Sequence, residues 1–142
     1  MQKKIKVLIS IIIVISFVII SKKYYDLIKL PSREILILKL ENINKSNVII
    51  SFNDYKNQHE IDLFEVILLE SRNIKDQKID KLPNYQIYIN SPREGTSLSV
   101  YNLWFINDIC VIAPKNEANA EGNYKEINSE NTKILKEMMK LN

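Results

Sequence analysis

The most apolar stretch of the chain lies near its start. Residues 7–20 contain no charged residue, no glycine and no proline. Such a run can satisfy all of its backbone hydrogen bonds as a helix, even in hydrocarbon. Basic residues flank the run on both sides: Lys3, Lys4 and Lys6 precede it, and Lys22 and Lys23 follow it.

This pattern predicts an N-terminal transmembrane helix that anchors the chain over residues 1–25. A membrane span needs roughly 17 to 25 residues, and the apolar run has only about 14. We therefore extend the predicted span to residues 5–25, with its lysine side chains reaching out to the headgroups. Tyr24 and Tyr25 would lie at the membrane interface. The lipid bilayer is then the first expected partner, through residues 5–25.

A cleaved secretory signal and a buried soluble helix are the alternatives to this uncleaved, single-pass signal-anchor. A cleavage site needs small residues after the apolar core, whereas Ile19 and Ile20 are followed here by Ser21 and Lys22. A retained anchor is therefore favoured. Basic residues are slightly in excess before the run, which places the N-terminus in the cytoplasm and the domain on the extracytoplasmic side.

A short connector over residues 26–33 leads to a region of alternating pattern. Residues 34–41 and 48–52 read as two strands of an antiparallel hairpin, joined by an Asn- and Ser-rich turn over residues 42–47. Asn57 and Glu60 resemble a capping box that opens a helix over about residues 58–71. The apolar stripe of this helix consists of Ile61, Phe64 and Leu68, widened by Leu63 and Ile67.

The second half of the chain predicts three more strands and a final helix. The strands cover residues 85–90, 98–106 and 109–113, and Asn107-Asp108 forms the turn between the last two. Polar connectors occupy residues 72–84 and 114–123, and the last helix starts near Ser129. The order after the anchor is β-β-α-β-β-β-α, which predicts a single α+β domain over residues 34–142 with a small antiparallel sheet. We expect the last helix on one sheet face, with the middle helix beside it or at an edge.

Charge separates the anchor from the domain. The chain carries 20 Lys and Arg, 17 Asp and Glu, and a formal net charge of +3. Five of the basic residues and none of the acidic ones lie in residues 1–23, so residues 24–142 have 15 basic and 17 acidic residues. A nucleic-acid-binding domain is expected to carry a basic patch. Nucleic acid is therefore not an expected partner.

Few residues suggest catalysis or metal binding. Asp62 and Glu65 could form an acid–base pair or a cation site, but a solvated helix face explains them with no extra assumption and is favoured. His59 has no evident partner for a relay or a metal site, and we expect it to be exposed beside the helix start. Cys110 cannot form an internal disulfide and is expected to be a small buried hydrophobe. The prediction is that there are no catalytic, cofactor-binding or metal-ligating residues, and no cofactor.

Aromatic side chains on the later strands are the one candidate binding surface. Alternation along a strand places Trp104 and Phe105 on opposite faces, so only part of the group can point outward. Tyr88 together with Tyr101 or Phe105 would form the outward set. The whole group consists of Tyr85, Tyr88, Tyr101, Trp104 and Phe105.

Several short segments carry a family resemblance. They are the Leu30-Pro31-Ser32-Arg33 entry after the basic-flanked run, the Leu82-Pro83 connector, and an ending with Pro114 followed by Gly122-Asn123-Tyr124. The pattern resembles an uncharacterised family of small membrane-anchored proteins of Gram-positive bacteria, known as a domain of unknown function. Members tend to end in an acid-x-Pro-Tyr-x-Gly-x-Tyr segment, which is interrupted here. The resemblance implies a location and a fold class, and no activity.

The sequence therefore predicts a membrane-tethered extracytoplasmic domain of the cell envelope that acts by binding and is not an enzyme. The partner would be an envelope protein, a peptide or the anchor of a second copy. Two variants are an immunity-type protein against a membrane-active peptide and a subunit of a membrane complex. An envelope enzyme built on Asp62 and Glu65 is the rival, and it requires a concave pocket around both carboxylates.

Overall fold

The computed structural model describes residues 2–42, 45–74, 79, 81–115 and 123–141, with the backbone alone for residues 2–8 and 10. The chain divides into two compact units, Met1–Leu30 and Pro31–Asn142. The first unit contains the helix α1 (Gln2–Ile28). The second contains, in order, β1 (Glu34–Asn42), β2 (Lys45–Asn53), α2 (Gln58–Glu70), β3 (Arg72–Ile74), β4 (Tyr85–Ser91), β5 (Thr96–Ile106), β6 (Ile109–Pro114), β7 (Tyr124–Ile127) and α3 (Ser129–Met138).

The predicted transmembrane helix is wrong. Among the described residues, no helix combines the length and the apolar character that a membrane crossing requires. Although α1 is 27 residues long, its uncharged run is about 14 residues, or roughly 21 Å at a rise of 1.5 Å per residue. The hydrocarbon core of a bilayer is about 30 Å thick. Lys22, Lys23 and Asp26 lie inside the helix and prevent the apolar run from extending to that length.

The second unit is built on one antiparallel sheet of seven strands. Their order in the sheet is β2-β1-β4-β5-β6-β7-β3. Hairpins join β1 to β2, β4 to β5 and β5 to β6, so most neighbours in the sheet are also neighbours in sequence. The turn between β5 and β6 contains Asn107 with a φ of 54°, which confirms the predicted Asn107-Asp108 turn.

Both helices of this unit pack on the same face of the sheet, which we call the helix face. Ile61 and Phe64 of α2 and Leu135 of α3 lie in one buried cluster with side chains from six strands. Strand members of this cluster are Ile35, Ile37, Phe52, Tyr85, Ile87, Leu103, Cys110, Ile112 and Ile127. Of the two expected positions for α2, the same face as the last helix or an edge of the sheet, the structure has the first.

The opposite face, which we call the open face, carries neither α2 nor α3. Trp104, Val111, Ala113 and Tyr124 form a smaller buried cluster there, with Ile74 and Ile79 packed against it. Trp104 Nε1 donates a hydrogen bond of 2.8 Å to the carbonyl of Lys81 in the segment that leads into β4. This segment therefore anchors to one end of the open face through the indole ring.

The sequence analysis missed two short strands. β7 and β3 fall in or beside the predicted connectors, and the domain has seven strands where five were expected. The predicted turn over residues 42–47 is also wrong in part. β1 continues to Asn42 and β2 begins at Lys45, while residues 43 and 44 lie outside the described part of the chain. Of the connector over 114–123, residues 116–122 are likewise outside the described part.

The two helix starts differ in their caps. Asn128 caps α3, and its Oδ1 accepts a hydrogen bond of 2.8 Å from the backbone N–H of Asn131, which confirms the predicted start near Ser129. The predicted capping box of α2 is wrong, because the side chain of Asn57 makes no capping hydrogen bond. The backbone of Asn57, with φ −134° and ψ 42°, is outside the extended conformation that a capping side chain normally requires.

Candidate functional site

Two acidic residues of α2, Asp62 and Glu65, contact an arginine of the chain. Arg33 Nη1 donates to Glu65 Oε1 at 2.5 Å, and its Nη2 lies 4.0 Å from Asp62 Oδ1. The hydrogen bond that Arg33 donates to Glu65 raises the pKa of the Arg33 guanidinium. The side chains of Asp62 and Glu65 are 56 % and 46 % exposed. The two carboxylates and Arg33 thus form a surface ion pair that links α2 to the start of β1.

Asp54 stabilises the same corner of the domain. Its Oδ2 accepts hydrogen bonds from the Ser32 hydroxyl, from the Ser32 backbone N–H at 3.1 Å and from the Arg33 backbone N–H at 3.2 Å. Burial acts to raise the pKa of Asp54, but these hydrogen bonds outweigh it and hold the pKa below its ordinary value. The entry into β1 is therefore fixed to the end of β2 by one carboxylate.

His59 and Cys110 lie where the sequence analysis expected them. His59 is exposed in the first turn of α2, and Cys110 is fully buried in the core of the helix face. Burial raises the pKa of the Cys110 thiol well above its ordinary range. Within the described ranges, no group of three or more His, Cys, Asp or Glu side chains is arranged to hold a metal ion.

The aromatic residues do not form the single surface that we predicted. Tyr101 pairs with Ile87 and lies on the helix face, whereas Tyr88 pairs with Val100 on the open face. Phe105 packs against the core of the helix face, where its ring meets that of Tyr85 edge-on at 5.8 Å. Tyr88 is thus separated by the sheet from both of its predicted partners.

A cavity of about 250 Å³ lies on the helix face, between the C-terminal end of α2 and strands β3, β5, β6 and β7. The sheet register explains how its wall is assembled. Asn73, Lys125 and Ile112 form one row across β3, β7 and β6. Tyr101 and Pro114 form the next row across β5 and β6. Directly paired residues share a sheet face, so both rows face the cavity.

The complete lining combines apolar and polar groups. Leu68, Ile112 and Pro114 supply the apolar surface, and Asn73, Tyr101, Asn123 and Lys125 supply the polar surface. Among the described residues, the Tyr101 hydroxyl, the Asn73 amide and the Lys125 ammonium have no hydrogen-bond or ion-pair partner in the protein. Pockets that bind small molecules typically have this mixture of apolar walls and a few polar groups.

The sequence analysis missed this cavity for a physical reason. Asn73 and Lys125 lie on β3 and β7, which are too short and too polar to show a strand pattern. Only the pairing of these two strands with each other and with β6 brings the residues beside Ile112. Tyr101 was singled out in the sequence, but as part of an aromatic surface. Tyr124 and Ile127 are three residues apart and face opposite sides of β7, so they gave no alternation that would predict this strand.

The open face contains a buried polar pair of its own. Gln86 Nε2 donates a hydrogen bond of 2.9 Å to Asn102 Oδ1, and both side chains are buried. The Tyr88 hydroxyl lies 3.4 Å from Gln86 Oε1 and 3.4 Å from Lys115 Nζ. Half-buried Leu36 and Leu38 of β1 flank this pair, opposite Tyr88 and Gln86. The side chains of Gln86 and Asn102 thus bond to each other within the protein, and they do not line the cavity beside α2.

Comparisons of the chain with protein-family models, with curated proteins and with solved structures gave no match. The function is therefore inferred from the geometry of this chain.

Proposed function

We propose that this protein is a binding module, and that its ligand is a small molecule or a short chemical group held in the cavity beside α2. The observation that carries the proposal is that Asn73, Tyr101 and Lys125, which have no partner among the described residues, converge on an apolar wall. At about 250 Å³ the cavity is slightly smaller than the roughly 300 to 1,000 Å³ of pockets for drug-sized molecules. A small ligand fits this size.

The chemistry of the lining supports binding over catalysis. Its seven residues include no carboxylate, histidine, cysteine or serine, which are the usual acids, bases and nucleophiles. Tyr101 and Lys125 lie in this lining without a carboxylate or an imidazole beside them that could exchange a proton with them, among the described residues. The remaining candidates, Asp62 and Glu65, do not line this cavity.

Ligand-dependent stabilisation tests this function. The full chain in mild detergent is unfolded by heat in the presence of a panel of small neutral, cationic and anionic compounds. A ligand at about 100 times its Kd stabilises the native state by about 2.7 kcal/mol, which raises the unfolding temperature by several degrees. We expect at least one class of compound to do so in a saturable way.

Two variants of β3 show where the stabilising compound binds. Asn73→Trp places a large ring at the cavity lining and should abolish the stabilisation. Arg72→Trp adds the same ring at the adjacent position, which faces the other side of the strand, and should preserve it. Equal loss in both variants, or no stabilising compound in the panel, would contradict a binding function for the cavity.

A second proposal concerns α1, which we infer to associate with an anionic lipid surface without crossing it. From Ile9 to Ile20 the described large apolar side chains of α1 are between 49 % and 70 % exposed. Removing one such side chain fully from water is worth about 1.5 to 3 kcal/mol. Lysines at both ends of the run, with no acidic residue before Asp26, complement phosphate headgroups and disfavour pairing with a second basic helix. An extracytoplasmic location stays a sequence-based prediction.

Flotation with lipid vesicles tests the association. The full chain is expected to float with vesicles of phosphatidylcholine and phosphatidylglycerol, more strongly than with phosphatidylcholine alone, and less in high salt. Ile13→Gln combined with Phe17→Gln should weaken binding at least about tenfold. Val48→Gln combined with Leu98→Gln removes two similarly exposed apolar side chains from the sheet and should leave it unchanged. Failure of the unaltered chain to float with anionic vesicles would refute the association.

A further inference from the structure

The charge of the cavity restricts the ligand that it can hold. Lys125 is the one ionisable side chain of its lining other than the phenol of Tyr101, and no acidic residue lines it. Glu126, the nearest acid in sequence, is adjacent to Lys125 on β7 and therefore faces the other side of the strand. Among the described residues Lys125 has no ion pair. Within the described part of the chain, the cavity thus presents one positive charge without a counter-charge.

The polar groups beside Lys125 can donate hydrogen bonds. A lysine ammonium offers three donors and no acceptor, a tyrosine hydroxyl offers one donor, and an asparagine amide offers two. Lys125 and Asn73 are direct cross-strand neighbours, and Tyr101 lies in the next row of the same face. An ionised carboxylate accepts hydrogen bonds at both oxygens and donates none, so it matches this set.

A carboxylate fits better than a phosphate group. Phosphate sites commonly use helix N-termini, backbone N–H groups and arginine forks. The helix end at this cavity is the C-terminal end of α2, where Leu68 lines the wall and where the helix dipole carries partial negative charge. The Ser71 hydroxyl and backbone N–H donate to the Leu68 carbonyl and satisfy it. One lysine balances a single negative charge, and a dianion would exceed it.

The apolar part of the cavity wall determines the chemistry of the ligand away from its charged head. Leu68, Ile112 and Pro114 offer hydrocarbon surface, which favours a carbon chain over a hydroxylated or charged body. The volume of about 250 Å³ limits that chain to a few carbons. A ligand with an anionic head and a short apolar tail can therefore contact both parts of the lining at once.

We propose that the cavity binds a short aliphatic carboxylate, whose carboxylate lies at Lys125, Tyr101 and Asn73 and whose carbon chain lies against Leu68, Ile112 and Pro114. This inference rests on the proposed binding function and specifies its ligand class. The same chemistry occurs in a free carboxylic acid and at the C-terminus of a peptide with an apolar last residue.

Titration with hexanoate, followed by the NMR shifts of methyl groups in the full chain, tests the inference. Hexanamide has the same carbon chain and a neutral head. We expect hexanoate to shift the Leu68 and Ile112 methyl signals in a saturable way, with an affinity at least about tenfold higher than that of hexanamide. N-acetylated dipeptides that end in leucine, with a free or an amidated C-terminus, then distinguish a peptide end from a free acid.

Variants of single residues identify the groups that bind the head. Lys125→Gln should reduce the affinity for hexanoate about tenfold and leave that for hexanamide unchanged. Lys133→Gln removes a similarly exposed lysine from α3 and should have no effect. Tyr101→Phe keeps the ring and removes the hydroxyl, with an expected loss of about threefold to tenfold. The thermal unfolding midpoint of each variant without ligand shows that it is folded.

The outcomes separate this inference from the proposed function. Equal affinity for hexanoate and hexanamide at the cavity would overturn the carboxylate inference and leave a binding cavity. An equal loss of affinity for hexanoate in Lys125→Gln and Lys133→Gln would mean that the overall positive charge of the domain attracts the ligand. This result would also overturn the carboxylate inference. The absence of a saturable shift with hexanoate would overturn the carboxylate inference. The proposed binding function is tested separately, by the panel of compounds on Asn73→Trp and Arg72→Trp.

Discussion

The two faces of the sheet are made from the same strands and differ in what covers them. On the helix face, alternate residues such as Ile37 and Ile87 are completely buried beneath α2 and α3. On the open face, the intervening residues Leu36 and Leu38 stay half-buried, and the buried Gln86 and Asn102 bond to each other. The helix face has a cavity at one end, beside the end of α2. The open face satisfies its buried amides, those of Gln86 and Asn102, within the protein.

This difference indicates which face contributes most to stability and which part of the domain is available to a ligand. A fully packed apolar face contributes most of the free energy of folding. A polar pair that is satisfied inside the protein contributes specificity of packing and has little left to offer a ligand. The cavity combines an apolar wall from the stable face with three polar side chains, Asn73, Tyr101 and Lys125, that have no protein partner in the described part of the chain. It is therefore the region of the domain most suited to binding.

The largest expected contrast comes from two neighbours on β1. Ile37→Ala should lower the free energy of unfolding by about 2 to 5 kcal/mol, because it leaves a cavity in a fully packed core. Leu38→Ala, one residue along on the open face, should cost less than half as much because this side chain is only half-buried. Urea unfolding followed by the fluorescence of Trp104, the single tryptophan, measures both. Equal losses would refute the proposed difference between the faces.

The polar pair of the open face gives the next effect. Gln86→Leu removes the donor to Asn102 Oδ1 and leaves a buried amide unpaired, which should cost about 1 to 3 kcal/mol. The double variant Gln86→Leu, Asn102→Leu should recover part of this loss, because no unpaired polar group remains. Additive losses in the double variant would mean that the hydrogen bond between the two side chains contributes little.

The ion pair between α2 and the start of β1 gives a smaller effect. Arg33→Gln should lower the free energy of unfolding by about 0.2 to 1 kcal/mol, because Glu65 and Asp62 are about half-exposed and solvent screens the pair. The loss should shrink in high salt. Lys39→Gln changes the exposed charge of β1 where no ion pair is present among the described residues and serves as the control. A loss above about 3 kcal/mol would contradict a surface role.

The smallest effect is a change in acid stability. The pKa of Asp54 is lowered in the folded state, so its contribution to stability is present above the unfolded pKa of about 3.9 and is lost as the pH falls through the lower, folded value. Asp54→Asn should therefore be less stable near pH 6 and should lose less further stability below pH 4 than the unaltered chain. Parallel pH profiles of the two proteins would contradict this assignment.

Much of the second unit could be predicted from the sequence, because its long strands alternate and its helices carry clear stripes. The pairing of β3 with β7 could not, because it joins residues about 50 apart and neither segment has more than four residues. Those two strands supply Asn73 and Lys125, so two of the four polar residues of the cavity lining could not be predicted. The prediction that α1 spans a membrane was wrong because Lys22, Lys23 and Asp26, near the C-terminal end of the helix, limit the length of its apolar segment.

One measurement tests the central claim that the ligand site lies at the end of the helix face. Methyl NMR signals of the full chain are assigned, and the small compound that gives the largest thermal stabilisation is added stepwise. We expect saturable shifts at Leu68 and Ile112 and unchanged signals at Leu36 and Leu38. Shifts concentrated on Leu36 and Leu38, or spread evenly over both faces, would contradict the claim.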